Sequence, residues 1–118
     1  MKTVLLLEEL ALFLVAILAF YFQSPYAWWL FPACILLPDL SMIGYLAGNR
    51  AGAFLYNLVH HKGIALIVYV AGLYFHQDWI VFTGIIMFAH SVMDRIFGYG
   101  LKYETGFKDT HLGKVGKQ

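Results

Sequence analysis

Charge is scarce in this chain: Asp, Glu, Lys and Arg make up 13% of its 118 residues, against 61% hydrophobic, and the mean hydropathy is +0.70. Soluble domains carry about 25% charged residues, so the composition excludes an ordinary soluble fold and points to a membrane chain. The formal net charge of +1 is too small for a nucleic-acid binder, and no Lys/Arg cluster is interleaved with aromatics as a single-strand groove requires. Cysteine is nearly absent as well. The lone Cys34 excludes an internal disulfide and a thiolate metal framework, and in its apolar stretch it reads as a small packing residue. Also missing are a G-x-S-x-G elbow, a P-loop, a Rossmann fingerprint and an H-E-x-x-H pair. Serine-nucleophile, nucleotide and zincin chemistries therefore have no support.

Long apolar runs are what the chain has in quantity. A bilayer span takes roughly 20 mostly apolar residues, and four such runs are present, over residues 4–22, 27–46, 53–75 and 79–97. The first follows Lys2 in the manner of a signal peptide. It is too long for an h-region, however, is interrupted by Glu8 and Glu9, and has no small-x-small cleavage site, so it reads as a retained helix. The breaks "QSPY", "GNRAG" and "HQD" are short enough to make neighbouring spans antiparallel. The expected fold is all-α: four transmembrane helices in an up-down-up-down bundle over residues 1–97. A polar, glycine-rich tail over 98–118 follows, with no internal repeat and no low-complexity tract.

Basic residues set the orientation, because short translocated loops avoid Lys and Arg. In this topology Lys2, Arg50, Lys102, Lys108, Lys114 and Lys117 fall on one side, and "QSPY" and "HQD" hold none. Both termini are therefore expected in the cytoplasm, the protein being a multi-pass membrane component with lipid as its surroundings. Trp28, Trp29 and Trp79 then form an aromatic belt at the outer interface with Tyr26. His76 and Asp78 lie in an outer turn, where water solvates them.

The remaining polar residues fall at one depth. Glu8 and Glu9 on the first span, Asp39 on the second, Asn57, His60 and His61 on the third, and His90 and Asp94 on the fourth all lie one to two turns in from the cytoplasmic end. A charge deep in a span costs on the order of 2.5–3.5 kcal/mol on insertion scales, so such groups must pair, bind an ion or reach water. His90 and Asp94, spaced i,i+4, share a helix face, as do Asn57 and His61. Pro38 is expected to kink the second helix just before Asp39 and free a carbonyl one turn earlier, while Gly44 and Gly48 offer a close approach to a neighbouring helix.

Three readings follow. Imidazoles and carboxylates from different helices are a ligand set for Zn²⁺, Mn²⁺ or Fe²⁺ in a bundle. Asp39, His60, His61, His90 and Asp94 are then the candidate ligands, and Glu8 or Glu9 is a further ligand or the base toward a metal-bound water. Alternatively the same groups, paired with Lys62 and Arg95, form a metal-free proton or ion path. In the third reading they snorkel to the interface and serve packing alone. In the tail, Asp109 and His111 of "DTHLG" either form a local turn or fold back over the cytoplasmic mouth.

Through "PDLSMIGYLAG", "YNLVHH", "HSVMDRIFGYGLKY" and "FKDTHLG", the chain resembles, over almost its whole length, a family of small bacterial membrane proteins classed as a domain of unknown function. Over about half its length it is also similar to bacterial membrane-bound metal-dependent hydrolases, which carry L-P-D-x-D, H-R-G-x-x-H-S and H-x-x-x-D segments. Asp39, His61, His90 and Asp94 match those motifs. Ser41 replaces the second acid, and Ile64, Ala65 and Leu66 stand where the second histidine of the middle motif belongs. This second resemblance implies a divalent metal with a reduced ligand set and hydrolysis of a lipid-like substrate. The competing class is non-enzymatic, a small carrier, proton path or interaction module acting as a homo-oligomer, since four short spans enclose little volume alone.

Overall fold

The computed structural model describes residues 2–97 and the backbone of 109–110 and 113–114. The first element, α1 (Lys2–Gln23), contains neither Pro nor Gly and at 1.5 Å per residue is about 33 Å long, enough to cross a bilayer. Only Ala16 and Phe20 are buried on it, while Val4, Leu7, Leu14 and Leu18 are exposed, as expected of a helix whose solvent is lipid. It stops where Ser24 N closes on Phe20 O at 3.1 Å and Pro25 has no N–H to continue.

Prolines divide the second span. A short α2 (Leu30–Cys34) gives way to a 3-10 helix (Leu37–Ala47) with Pro38 in its first turn. Asp39 N donates to Leu36 O at 3.1 Å, an i→i−3 bond, and Pro38 cannot make the preceding one to Ile35 O. That carbonyl is left to other partners. Eleven residues of 3-10 helix are unusual where runs above about four are uncommon. The helix packs against α3 (Asn49–His60), to which the chain returns through Gly48. Of the expected glycine pair, Gly44 does meet its neighbour closely, since a Cβ there would lie 3.2 Å from Ala51 O. Gly48 instead makes the turn, at φ +115° with its N–H on Tyr45 O.

Where the third span is expected, the helix is broken. α3 and α4 (Lys62–Phe75) meet at a bend of 53°, where the sequence pattern leads one to expect a continuous helix over 53–75. His61 is the cause: its backbone is extended, and its Nδ1 accepts from Gly63 N at 3.0 Å and Ile64 N at 3.3 Å. This satisfies two of the orphan donors that open α4, the work usually done by Ser, Thr, Asp or Asn. α4 ends in a Schellman motif, with His76 left-handed at φ 55°, its N–H on Leu73 O, and Gln77 N on Gly72 O.

The chain then runs back as α5 (Asp78–Ile96). Two glycines bring α4 and α5 together: a Cβ on Gly72 would lie 2.4 Å from Val81 N, and one on Gly84 would lie 2.5 Å from Tyr69 N. α5 is the central helix and the most buried of the spans, with α1, α3, α4 and the 3-10 helix all packed on it. Around its first half lies an apolar core of Phe20, Val81 and Ile85, flanked by Phe31 and Phe82, whose rings stand 5.4 and 5.7 Å from that of Phe20.

Over residues 2–97 the regular structure is all helical, as expected. Lys2–Gln23, Leu30–Ala47 and Asp78–Ile96 are each long and apolar enough to cross a membrane, and the bent α3–α4 pair supplies a fourth span if taken as one. After α5, β1 (Asp109–Thr110) pairs antiparallel with β2 (Gly113–Lys114), Asp109 opposite Lys114. His111 and the side chain of Asp109 lie outside the described residues.

Candidate metal centre

The site lies around the second half of α5. His90 and Asp94, one turn apart, are both buried. The 3-10 helix brings Asp39 to them, and the last residue of α3 brings His60. His90 Nε2 lies 3.0 Å from Asp39 Oδ1 and 3.4 Å from Asp94 Oδ2, while His60 Nε2 lies 3.3 and 3.6 Å from the same two atoms. One ligand atom from each of the four residues falls within 4.8 Å of all the others. Both imidazoles are fully buried, Asp94 nearly so, and the Asp39 side chain is 38% exposed.

The outer nitrogens of the two imidazoles determine what the inner ones offer. His60 Nδ1 lies 2.9 Å from Tyr56 O, and His90 Nδ1 lies 2.5 Å from Ile35 O, the carbonyl that Pro38 leaves without a helical partner. A carbonyl only accepts, so each Nδ1 carries a hydrogen and donates it. In a neutral imidazole, Nε2 then holds a bare lone pair. When both rings are neutral, two such lone pairs and two carboxylate oxygens converge with no donor among the four atoms, an arrangement that either a cation at their centre or protons on the two Nε2 atoms would satisfy. It is also how a protein orients metal-binding histidines, through an N–H bond on the far side of the ring. A tetrahedral ion with bonds of 2.0–2.1 Å has ligand–ligand edges of about 3.3–3.4 Å, and the four nitrogen–oxygen edges of 3.0–3.6 Å bracket that value.

Other candidates lie elsewhere. His61 is exposed and caps α4. Glu8 is exposed on α1. Glu9 is the partner of Lys62, whose Nζ donates to both its oxygens, Oε2 at 2.7 Å. Arg95 Nη2 reaches His60 O at 3.5 Å, covering a carbonyl exposed by the helix break. Ser41 is buried with no hydrogen-bond partner for its Oγ among the described residues.

The inward face of α3 consists of Gly52, Ala53, Tyr56 and His60, one residue round from the Asn57/His61 face that sequence spacing equally allows. Asn57 and His61 instead line a shallow groove of about 350 Å³ with Ala53, Phe54, Leu58 and Ile64. Tyr56 was not among the candidates. Its hydroxyl donates to Asp94 Oδ2 at 3.1 Å and its ring stacks on His60 at 3.8 Å. The i,i+4 run Gly52–Tyr56–His60 is the one sequence signal that pointed to it.

Residues 2–115 match a family described as a domain of unknown function (DUF4260). The chain belongs to this family. No curated protein and no solved structure matches it. Membership in DUF4260 brings no reaction with it, and the donor set is what bears on the chemistry.

Proposed function

We propose that this DUF4260 protein binds one divalent transition-metal ion through Asp39, His60, His90 and Asp94. The convergence of two inward imidazole lone pairs with two carboxylate oxygens carries this reading. Imidazole suits Zn²⁺, Mn²⁺ or Fe²⁺ better than Mg²⁺ or Ca²⁺, and the four nitrogen–oxygen edges have the length that a tetrahedral Zn²⁺ site needs. The distribution of Lys and Arg supports placing the site in the cytoplasmic half of the membrane, and the resemblance to bacterial membrane proteins makes that the inner membrane of a bacterium.

Asp39 favours a second, finer reading, metal-dependent hydrolysis of an amphiphile entering from the inner leaflet. It is the one ligand with an open side, and its displacement would free the coordination position that hydrolytic sites keep for water or substrate. Glu9 would act as base there only by giving up Lys62.

Metal content of the detergent-purified protein, after reconstitution with Zn²⁺, Mn²⁺ or Fe²⁺, tests the main reading. Near-stoichiometric metal is expected. His90→Ala should weaken binding by more than about a thousandfold, beyond the 10–100-fold typical of losing an outer partner. Affinity should fall as pH falls, because all four ligands must be deprotonated to bind. A folded protein that takes up none of the three metals overturns the reading. The cluster would then be a proton-holding network, with protonated imidazoles donating Nε2–H to Asp39. Release of product from a synthetic amphiphilic ester or phosphate, dependent on added metal and lost in Asp39→Asn, tests the hydrolytic reading.

A further inference from the structure

Tyr56 is 2% exposed and touches two of the four ligands in three ways. Its carbonyl accepts from His60 Nδ1 at 2.9 Å, its ring lies parallel to the His60 imidazole at 3.8 Å and 8°, and its hydroxyl donates to Asp94 Oδ2 at 3.1 Å. The first two contacts hold His60. The third acts on Asp94, and on the same oxygen that faces both histidines at 3.4 and 3.6 Å. With one lone pair of Oδ2 engaged by the phenol, that oxygen has one left to point at the histidines, and rotation of the carboxylate about its Cβ–Cγ bond would break the phenol's hydrogen bond.

Resting on the metal reading above, we propose that Tyr56 is a positioning residue that limits Asp94 to ligation through one oxygen, keeps the site four-coordinate, and so sets its preference for Zn²⁺ over Mn²⁺ and Fe²⁺. Carboxylates bind through one oxygen or two, and the choice moves a site between four ligand atoms, which Zn²⁺ prefers, and the higher coordination numbers of harder ions. Without the phenol, Asp94 is free to turn both oxygens inward. The stacked ring and the Tyr56 carbonyl would remain, so the histidines keep their orientation.

Tyr56→Phe removes the hydroxyl alone, and Co²⁺ reports coordination number, since its visible bands are intense in tetrahedral sites and weaken several-fold at five or six ligands. The wild-type protein is expected to give intense bands. Tyr56→Phe should lose that intensity several-fold, weaken Zn²⁺ binding by roughly 10–100-fold as outer-partner losses do, and leave Mn²⁺ affinity almost unmoved, so that the Zn²⁺/Mn²⁺ ratio narrows. Should the Phe variant not fold, Tyr56→4-aminophenylalanine keeps a weaker donor at the same place and should give an intermediate spectrum and ratio. A folded variant with the wild-type spectrum and metal ratio overturns the role of Tyr56 while leaving the metal site standing. A wild-type protein that gives no Co²⁺ bands overturns the metal reading itself, and this inference with it.

Discussion

Toward its N-terminus α5 buries Val81 and Ile85 against Phe20, and little more than a turn further on it buries His90 and Asp94 against Asp39 and His60. The two regions share a helix and differ in what holds them. Between membrane helices the hydrophobic effect contributes little, because lipid tails are as apolar as Leu, and association depends on close packing and interhelical polar contacts. The apolar half uses the first device, with Gly72 and Gly84 admitting the neighbouring backbone. The polar half uses the second, with each imidazole tied to a backbone carbonyl and both carboxylates turned to the same centre. Side chains should therefore be exchangeable in the first region as long as shape is kept, whereas in the second the identity of each atom matters.

The largest effect expected outside the ligands comes from abolishing the approach that serves both regions. Gly84→Leu places a side chain against Tyr69 backbone and should cost about 3 kcal/mol or more, the upper range of overpacking. Reversible unfolding in mixed micelles should show that loss, and metal binding should fall with it, because α5 carries two of the ligands. Survival of binding would show that the two regions are independent even across the helix contact.

Ile85→Ala probes the apolar half alone. It should cost about 2 kcal/mol, the low end for such a truncation because only packing is lost, and should leave metal affinity within about twofold, since sites this far apart are close to additive. A matching loss of metal affinity would erase the distinction between the halves.

The smallest effect belongs to His61. His61→Ala removes a helix cap and should cost about 1 kcal/mol, with metal binding unchanged, whereas His61→Asn, which can cap, should restore most of the stability. Lost metal in His61→Ala would return His61 to the ligand set in place of its neighbour.

Much of this molecule was legible in its residues, for identifiable reasons. The spans follow from hydropathy, and the polar layer follows from counting along them, because helical rise is constant and depth is linear in sequence. Asp39, His90 and Asp94 were reachable in this way. The choice between His60 and His61 was not, since adjacent residues differ by about 100° in direction and both faces of α3 offered a polar i,i+4 pair. The break between α3 and α4 was equally hidden, because a histidine does the capping there, as another does at the Schellman turn.

By itself, then, the sequence determined that this is a membrane-spanning helical chain with acids and imidazoles at one depth, because apolar length and residue spacing are properties of the chain alone. The tertiary structure decided which of those groups meet. Rotation of α3 turned Tyr56 and His60 inward, the Ile35 carbonyl left over by Pro38 took the outer hydrogen of His90, and Lys62 drew Glu9 into an ion pair. Each of these joins residues at least 50 apart or depends on the roll of a helix about its axis, and neither long-range partners nor roll is written in local spacing.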